Sequence, residues 1–147
     1  SEEYTRESVI NAIKSGSAWE KFLQLVIAQG GDVSYVNDPG KLPKAKIIRT
    51  CTSKNQGFIK QFDARVVGET SVYLGAGRVK KGEPIDHSVG VEVLCKVGDW
   101  IDIGQPLFTL HSNNEEKAGH AENLILEAVE ISETPVKPIQ LFYKTIQ

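Results

Sequence analysis

The chain has 147 residues, 40% of them hydrophobic and 24% charged, with a formal net charge of -2. That length supports a real core, since a domain of this size buries roughly 68–70% of its unfolded surface. The slight acidity argues against the basic face that nucleic acid requires, and no apolar run approaches the ~20 residues of a membrane span. Neither nucleic acid nor membrane is therefore an expected partner, and a cytoplasmic location is expected. The two cysteines, Cys51 and Cys95, form no C-x-x-C pair. Two free thiols are the expectation, with a single bridge left open. The chain contains no methionine, so it is read as a piece of a longer polypeptide.

The chain opens with two predicted helices, over about 3–14 and 18–29. Val9, Ile10 and Ile13 form the stripe of the first, and Gly16 ends it. Ser17 and Glu20 have the spacing of a capping box. Trp19, Phe22, Leu23, Val26 and Ile27 recur at helical spacing behind it, with Trp19 and Phe22 assigned to the packed face. Gly30 and Gly31 stop the second helix. Residues 32–44 read as a linker, because Asp38-Pro39-Gly40 signals a turn and Pro43 bars a helix.

Beyond the linker, short β-type runs dominate: Ile47–Thr52, Gly57–Phe62, Gly90–Lys96, Trp100–Ile103 and Pro106–His111. Asp63 is placed to cap a helix reaching about Leu74, weakened by Gly68. A final helix starts at Asn113 with Glu116, or at Ser112 with Glu115, and ends near Leu126. Ala128–Ile131 is the last core strand, and Gln140–Ile146 a possible edge strand after Pro135 and Pro138. The expected fold is α+β: a helical pair over 1–31, the linker over 32–44, and a compact α+β domain over 45–147 with short antiparallel strands and barrel-sandwich (biotinyl/lipoyl-like) hammerheads. Its core set is Ile47, Ile59, Val91, Val93, Ile101, Leu107 and Leu110.

Few motifs carry chemistry. Leu74 to Gly82 is rich in glycine and basic residues but lacks the Gly-Lys-Ser/Thr of a phosphate-gripping P-loop, and it follows a helix instead of opening one. It is a weak anion-nest candidate. His87, His111 and His120 share no ligand spacing, so no metal site is expected. No Gly-x-Ser-x-Gly elbow occurs. The run from Val97-Gly98-Asp99 to Gly104-Gln105-Pro106-Leu107 resembles the hammerheads of biotinyl and lipoyl carrier domains, with Ile101, Ile103 and Leu107 pointing inward. A carrier needs an exposed lysine at a hairpin tip; Lys117 is the only approximation.

Several stretches together resemble the pyrimidine-nucleoside and thymidine phosphorylase family. They are Ser15-Gly16-Ser17-Ala18 with Phe22, Ala28-Gln29-Gly30-Gly31-Asp32, Asp38-Pro39 with Leu42-Pro43-Lys44-Ala45, Gly57-Phe58-Ile59, Asp63-Ala64, Leu74-Gly75-Ala76-Gly77-Arg78, and Ile85 to Val91. The resemblance implies a pentosyltransferase of nucleoside salvage, which converts a pyrimidine nucleoside and phosphate to the free base and a pentose 1-phosphate. It implies that this chain is the C-terminal domain plus the last helices of the large lobe. The implied partners are the rest of that polypeptide and, as a whole enzyme, a second copy in a homodimer. No cofactor is implied; phosphate is a co-substrate. The family's phosphate and base-binding residues precede the region matched, so no catalytic residue is expected here. The candidate functional element is a lobe-closure loop containing Gly75, Ala76, Gly77, Arg78, Lys80, Lys81, Asp86 and His87. The alternative is a free-standing carrier or binding module of the biotinyl/lipoyl-like barrel type.

Overall fold

A computed structural model describes residues 2–78, 80–144 and 146. The chain divides into two compact units, Ser1–Leu42 and Pro43–Gln147.

The first unit is helical: α1 spans Glu2–Lys14, α2 Ser17–Ala28 and α3 Ser34–Asn37, followed by a 3-10 turn at Pro39–Lys41. Gly16, at φ 80°, makes the break between the first two helices. Ser17 does not cap α2. Its hydroxyl donates to the Ala12 carbonyl at 3.2 Å, and the position before the helix belongs to Gly16, which has no side chain to offer. Gly30 (φ 77°) closes α2 as expected, with Gly30 and Gly31 amides donating to the Ile27 and Val26 carbonyls. The segment read as a linker contains α3 and the 3-10 turn. Asp32 accepts from the Ser34 amide and Asp38 from the Gly40 amide, so two aspartates start these short elements. Neither α1 nor α2 contains a buried residue. Trp19 and Phe22, expected on a packed face, are both exposed and touch each other, ring centroids 5.9 Å apart. A pair of amphipathic helices has too little apolar surface to bury both stripes against each other alone.

The second unit is α+β with two small antiparallel sheets. Its strands are β1 (Ile47–Thr52), β2 (Gly57–Phe62), β3 (Gly90–Val93), β4 (Trp100–Ile101), β5 (Pro106–Ser112) and β6 (Val129–Ser132). Helix α4 covers Ala64–Ser71 and α5 covers Glu115–Glu127. One sheet has the order β1-β5-β3 and the other β4-β2-β6. β5 is central in the first, pairing Cys51 with Phe108 on one side and Val93 with Phe108 on the other. Both neighbours are antiparallel to it. Two expected strands are shorter than their apolar runs: β3 stops at Val93 and β4 at Ile101, because the Lys96 amide turns to the Asp99 carboxylate and the Asp102 amide to Gln105. Gln140–Lys144 forms no strand, and Thr145 lies outside the described residues.

Ile59, Ile101, Leu107 and Leu110 are buried as expected, and Val91 is partly buried. Val93 and Ile103 are exposed, against expectation. Val93 is the last residue of an edge strand, and Ile103 sits in the turn after β4. The largest fully buried side chain is Phe108, edge-on to Phe62 at 5.9 Å. Cys51 and Ile125 join it in the core, and both cysteines are free thiols. Helix α5 is clamped to β1 by Arg49, whose guanidinium pairs with Glu115 and, at 3.3 Å, with Glu122. Its N-cap is Asn114, whose side chain accepts from the Lys117 amide at 2.8 Å. The sequence expectation had placed that cap at Asn113 or Ser112; both are otherwise engaged. Ser112 makes a local turn with Asn114, and Asn113 reaches across the fold.

Candidate functional site: the loop after the fourth helix

The glycine loop begins where α4 ends. Asp63 accepts from the Arg65 and Val66 amides and starts that helix. After Ser71 the helix widens into a π-type turn, Val72–Ala76, broken at Gly75 (φ 120°). That conformation is in the left-handed half of backbone space, where a Cβ is strained. The Gly75 carbonyl then accepts from the Asp86 amide at 3.0 Å, which closes the neck of the loop. Gly77 has a different reason: a Cβ there would lie 2.6 Å from Cγ2 of Val72.

Inside the neck, Glu83 organises the loop. Nε of Arg78 donates to the Glu83 carbonyl at 3.1 Å, and the Lys80 amide donates to the Glu83 carboxylate at 3.0 Å. Gly82 (φ 95°) permits the tight turn in which the Glu83 amide returns to the Lys80 carbonyl. The basic side chains are thus held on a self-supporting turn. Arg78, Lys80, Lys81 and His87 are all exposed.

The base of the loop is fastened by a second polar set. The Asp86 carboxylate accepts from the Ser88 amide at 3.0 Å, from its hydroxyl at 2.6 Å, and from Nδ2 of Asn113 at 2.8 Å. Asn113 also donates to the Ser88 hydroxyl and accepts from the Lys46 amide, both within 2.9 Å. One short side chain therefore joins the loop base, the start of β1 and the end of β5. The Ser88 hydroxyl, then the Ser88 amide and Asn113, hold the Asp86 carboxyl below the usual carboxylate range, with His87 adding a small electrostatic contribution. Val89, just beyond, is buried and anchors the strand that follows.

A cleft of about 420 Å³ opens beside this base, lined by Leu74, Gly75, Pro84, Ile85, Asp86, Asn113, Asn114 and Lys117. The loop residues singled out from sequence are split by it. Gly75 and Asp86 line the cleft, while Arg78, Lys80, Lys81 and His87 do not. The sequence reading missed Glu83, Ser88 and Asn113. The Asp-His-Ser spacing of an Asx turn is the one local signal that pointed to Ser88.

Lys117 has a different job from a carrier lysine. It stands in the first turn of α5, and its ammonium donates to the Tyr73 carbonyl at 3.1 Å and lies 5.5 Å from the centre of that ring. It satisfies a carbonyl of the widened turn and is not at a hairpin tip. Among the described residues no group of three His, Cys, Asp or Glu side chains converges to hold a metal, and no helix is long and apolar enough to cross a membrane.

Comparison with known proteins adds the context. The family model described as the pyrimidine nucleoside phosphorylase C-terminal domain matches residues 58–132. The pyrimidine-nucleoside phosphorylase of Geobacillus stearothermophilus is 40% identical over 144 residues, which is 98% of this chain and 33% of that protein. That of Staphylococcus epidermidis (strain ATCC 12228) is 40% identical over 111 residues, covering 76% of this chain and 26% of that protein. That of Staphylococcus aureus (strain USA300) is 37% identical over 114 residues, 78% and 26% respectively. The chain spans a quarter to a third of the length of these curated relatives. The family model covers both three-stranded sheets from β2 onward, both helices of the second unit and the whole glycine loop, and on that ground the chain belongs to the pyrimidine nucleoside phosphorylase C-terminal domain family.

Proposed function

We propose that this chain works as the C-terminal part of a pyrimidine-nucleoside phosphorylase, in a polypeptide that converts a pyrimidine nucleoside and phosphate to the base and a pentose 1-phosphate. Its role there is structural, with one moving element. The phosphate and base sites lie on the part of the polypeptide that precedes it, the working enzyme is a homodimer in the cytoplasm, and no resident cofactor takes part. The two sheets are read as the hammerhead halves of a barrel-sandwich, built around the glycine turns at Gly57, Gly98 and Gly104. The observation that carries the reading is the family match over residues 58–132.

Within that role, the Gly75–Val89 loop is the closure element. Its base is rigid, fastened by Asp86, Ser88 and Asn113, while its tip presents Arg78 and two lysines on a turn held by Glu83. A rigid base with an exposed cationic tip suits a loop that meets an opposing lobe and excludes water as it closes. Closure of this kind commonly limits turnover.

Two measurements test this. The 147-residue chain, incubated with thymidine or uridine and phosphate, should release no base, because positioning and electrostatic stabilisation by the missing groups drive such catalysis. Turnover tracking the purified chain would overturn it. In the full-length polypeptide, truncating a desolvated charge costs about 2–5 kcal/mol, so Arg78→Ala should lower kcat at least about tenfold. Lys81→Ala should do less, with both melting temperatures unchanged. Normal kinetics in both variants would leave the loop as a surface turn.

A further inference from the structure

Among the described residues, the most exposed large apolar side chains of the second unit lie in its C-terminal segment. Up to Pro138 the tail is held. Gly98, at φ 94°, lets it pass so closely that a Cβ there would meet the Pro138 ring and the Val136 carbonyl at 3.1 Å. From Ile139 onward the large apolar side chains are exposed. Leu141 is 91% exposed, Phe142 83% and Tyr143 87%, with Ile139 at 64%. Three consecutive large apolar side chains with so little cover far exceed the scattered surface residues that need no explanation. Residues 139–144 belong to no strand or helix.

Two comparisons bear on what covers this segment. The family model stops at residue 132, so the tail lies outside the domain it describes. The Geobacillus enzyme, of which this chain covers 33%, nevertheless aligns over 144 residues of it, which leaves out at most three positions and includes Leu141, Phe142 and Tyr143. The tail is thus shared with a protein that has two further thirds of chain, while it is dispensable to the definition of the domain.

We propose that Ile139–Tyr143 is a fastening segment, which packs its apolar side chains onto the preceding two thirds of the phosphorylase polypeptide. The inference rests on the functional reading above. Pro135 and Pro138 stiffen the lead-in, and the Gly98 contact sets the point from which the segment leaves the β-domain. Its direction is thereby defined, so docking orders only about five residues, which keeps the entropic cost small.

Hydrogen exchange read by mass spectrometry tests this, comparing the peptide over 139–144 in the full-length polypeptide and in the 147-residue chain. The expected result is at least tenfold slower exchange in the full-length protein and fast, concentration-independent exchange in the short chain. The double variant Leu141→Asp/Phe142→Asp should remove that protection and lower the full-length melting temperature, leaving that of the short chain unchanged. Equal exchange in both proteins would overturn the proposal. So would protection that grows with concentration in the short chain, which would make a second copy the occupant. The exchange comparison uses the unmodified sequence, so a variant that fails to fold does not decide it. Base release from nucleoside and phosphate is measured on the same full-length sample: its absence would remove the phosphorylase reading, whereas an unprotected tail in an active enzyme would remove only the fastening role.

Discussion

The side-chain amide of Asn113 donates to the Asp86 carboxylate at 2.8 Å, and so ties the end of β5 to the neck of the glycine loop across 27 positions of sequence. Its carbonyl end accepts from the Lys46 amide ahead of β1. Asn113→Ala should therefore loosen the loop base and cost about 1 kcal/mol, the scale of a hydrogen-bonded group in an exposed place. Urea unfolding checks the stability, and hydrogen exchange over 84–90 should rise in the variant. A loop that exchanges as before would mean that Gly75 and Asp86 backbone pairing suffices to hold the neck.

The same pair sets a pH dependence. The Asp86 carboxyl is held below its ordinary range by the Ser88 hydroxyl, the Ser88 amide and Asn113. A depressed folded value means that the contribution is present above the unfolded carboxylate pKa of about 3.9 and is lost as pH falls through the lower folded value. Asp86→Asn should thus flatten part of the acid limb of the stability curve below about pH 4. Melting temperatures of both proteins from pH 2.5 to pH 7 should show the gap between them narrowing toward acid, and a gap that does not change with pH would mean that the carboxylate contributes nothing.

Two glycines should answer to alanine with opposite sign. Gly57, at φ 146°, faces the Ser132 carbonyl, and a Cβ there would lie 2.6 Å from that oxygen. Backbone cannot step aside cheaply, so Gly57→Ala should cost about 2–4 kcal/mol from strain and overpacking. Gly68 lies within α4, with nothing within 4 Å of its Cβ position. Gly68→Ala should stabilise by about 0.5–1 kcal/mol by raising helix propensity. Equal shifts in the urea midpoints would refute the assignment.

Burial pushes the thiols of Cys51 and Cys95 up to about 11, helped by Glu122 in one case and Asp99 in the other. At pH 8 both should alkylate slowly with iodoacetamide, Cys51 more slowly because it has no exposed surface. A raised folded pKa also means that the stabilising contribution is complete below the unfolded thiol pKa of about 8.5 and is lost as pH rises through the folded value. Cys51→Ala should remove part of the loss in stability between about pH 9 and pH 11, beside a cavity cost. Rapid alkylation at pH 8 would contradict the buried thiol.

Helix starts separate what neighbouring residues can decide from what they cannot. Ser17-Ala18-Trp19-Glu20 has the local form of a capping box, yet Gly16 takes the position before α2 and the Ser17 hydroxyl turns back to Ala12. At α5, three adjacent residues could each cap. Asn114 does so because Asn113 is drawn to Lys46, Asp86 and Ser88, which lie far away in sequence. Asn114→Ala should consequently cost about 1 kcal/mol, whereas Ser17→Ala should fall within about 0.5 kcal/mol of no change. Thermal melts of the two variants distinguish them.

By itself the sequence determined the α+β class, the places of α1, α2, α4, α5 and β1–β6, the buried set Ile59, Ile101, Leu107 and Leu110, and the glycine loop between α4 and β3, but not α3. Those features follow from interactions between near neighbours: apolar periodicity, the positive φ that glycine tolerates, and aspartates that bond amides two or three residues on. Tertiary structure alone decided the strand orders β1-β5-β3 and β4-β2-β6. It also decided that Asn113 fastens the loop base and that Val93, Ile103 and the Ile139–Tyr143 tail stay uncovered. The reason is the same in each case. Strand pairing and the partners of Asn113 are settled by groups tens of residues apart, and a short Asn forms equally good hydrogen bonds with many of them until the packed core of Phe108, Ile59 and Ile125 brings one set within reach.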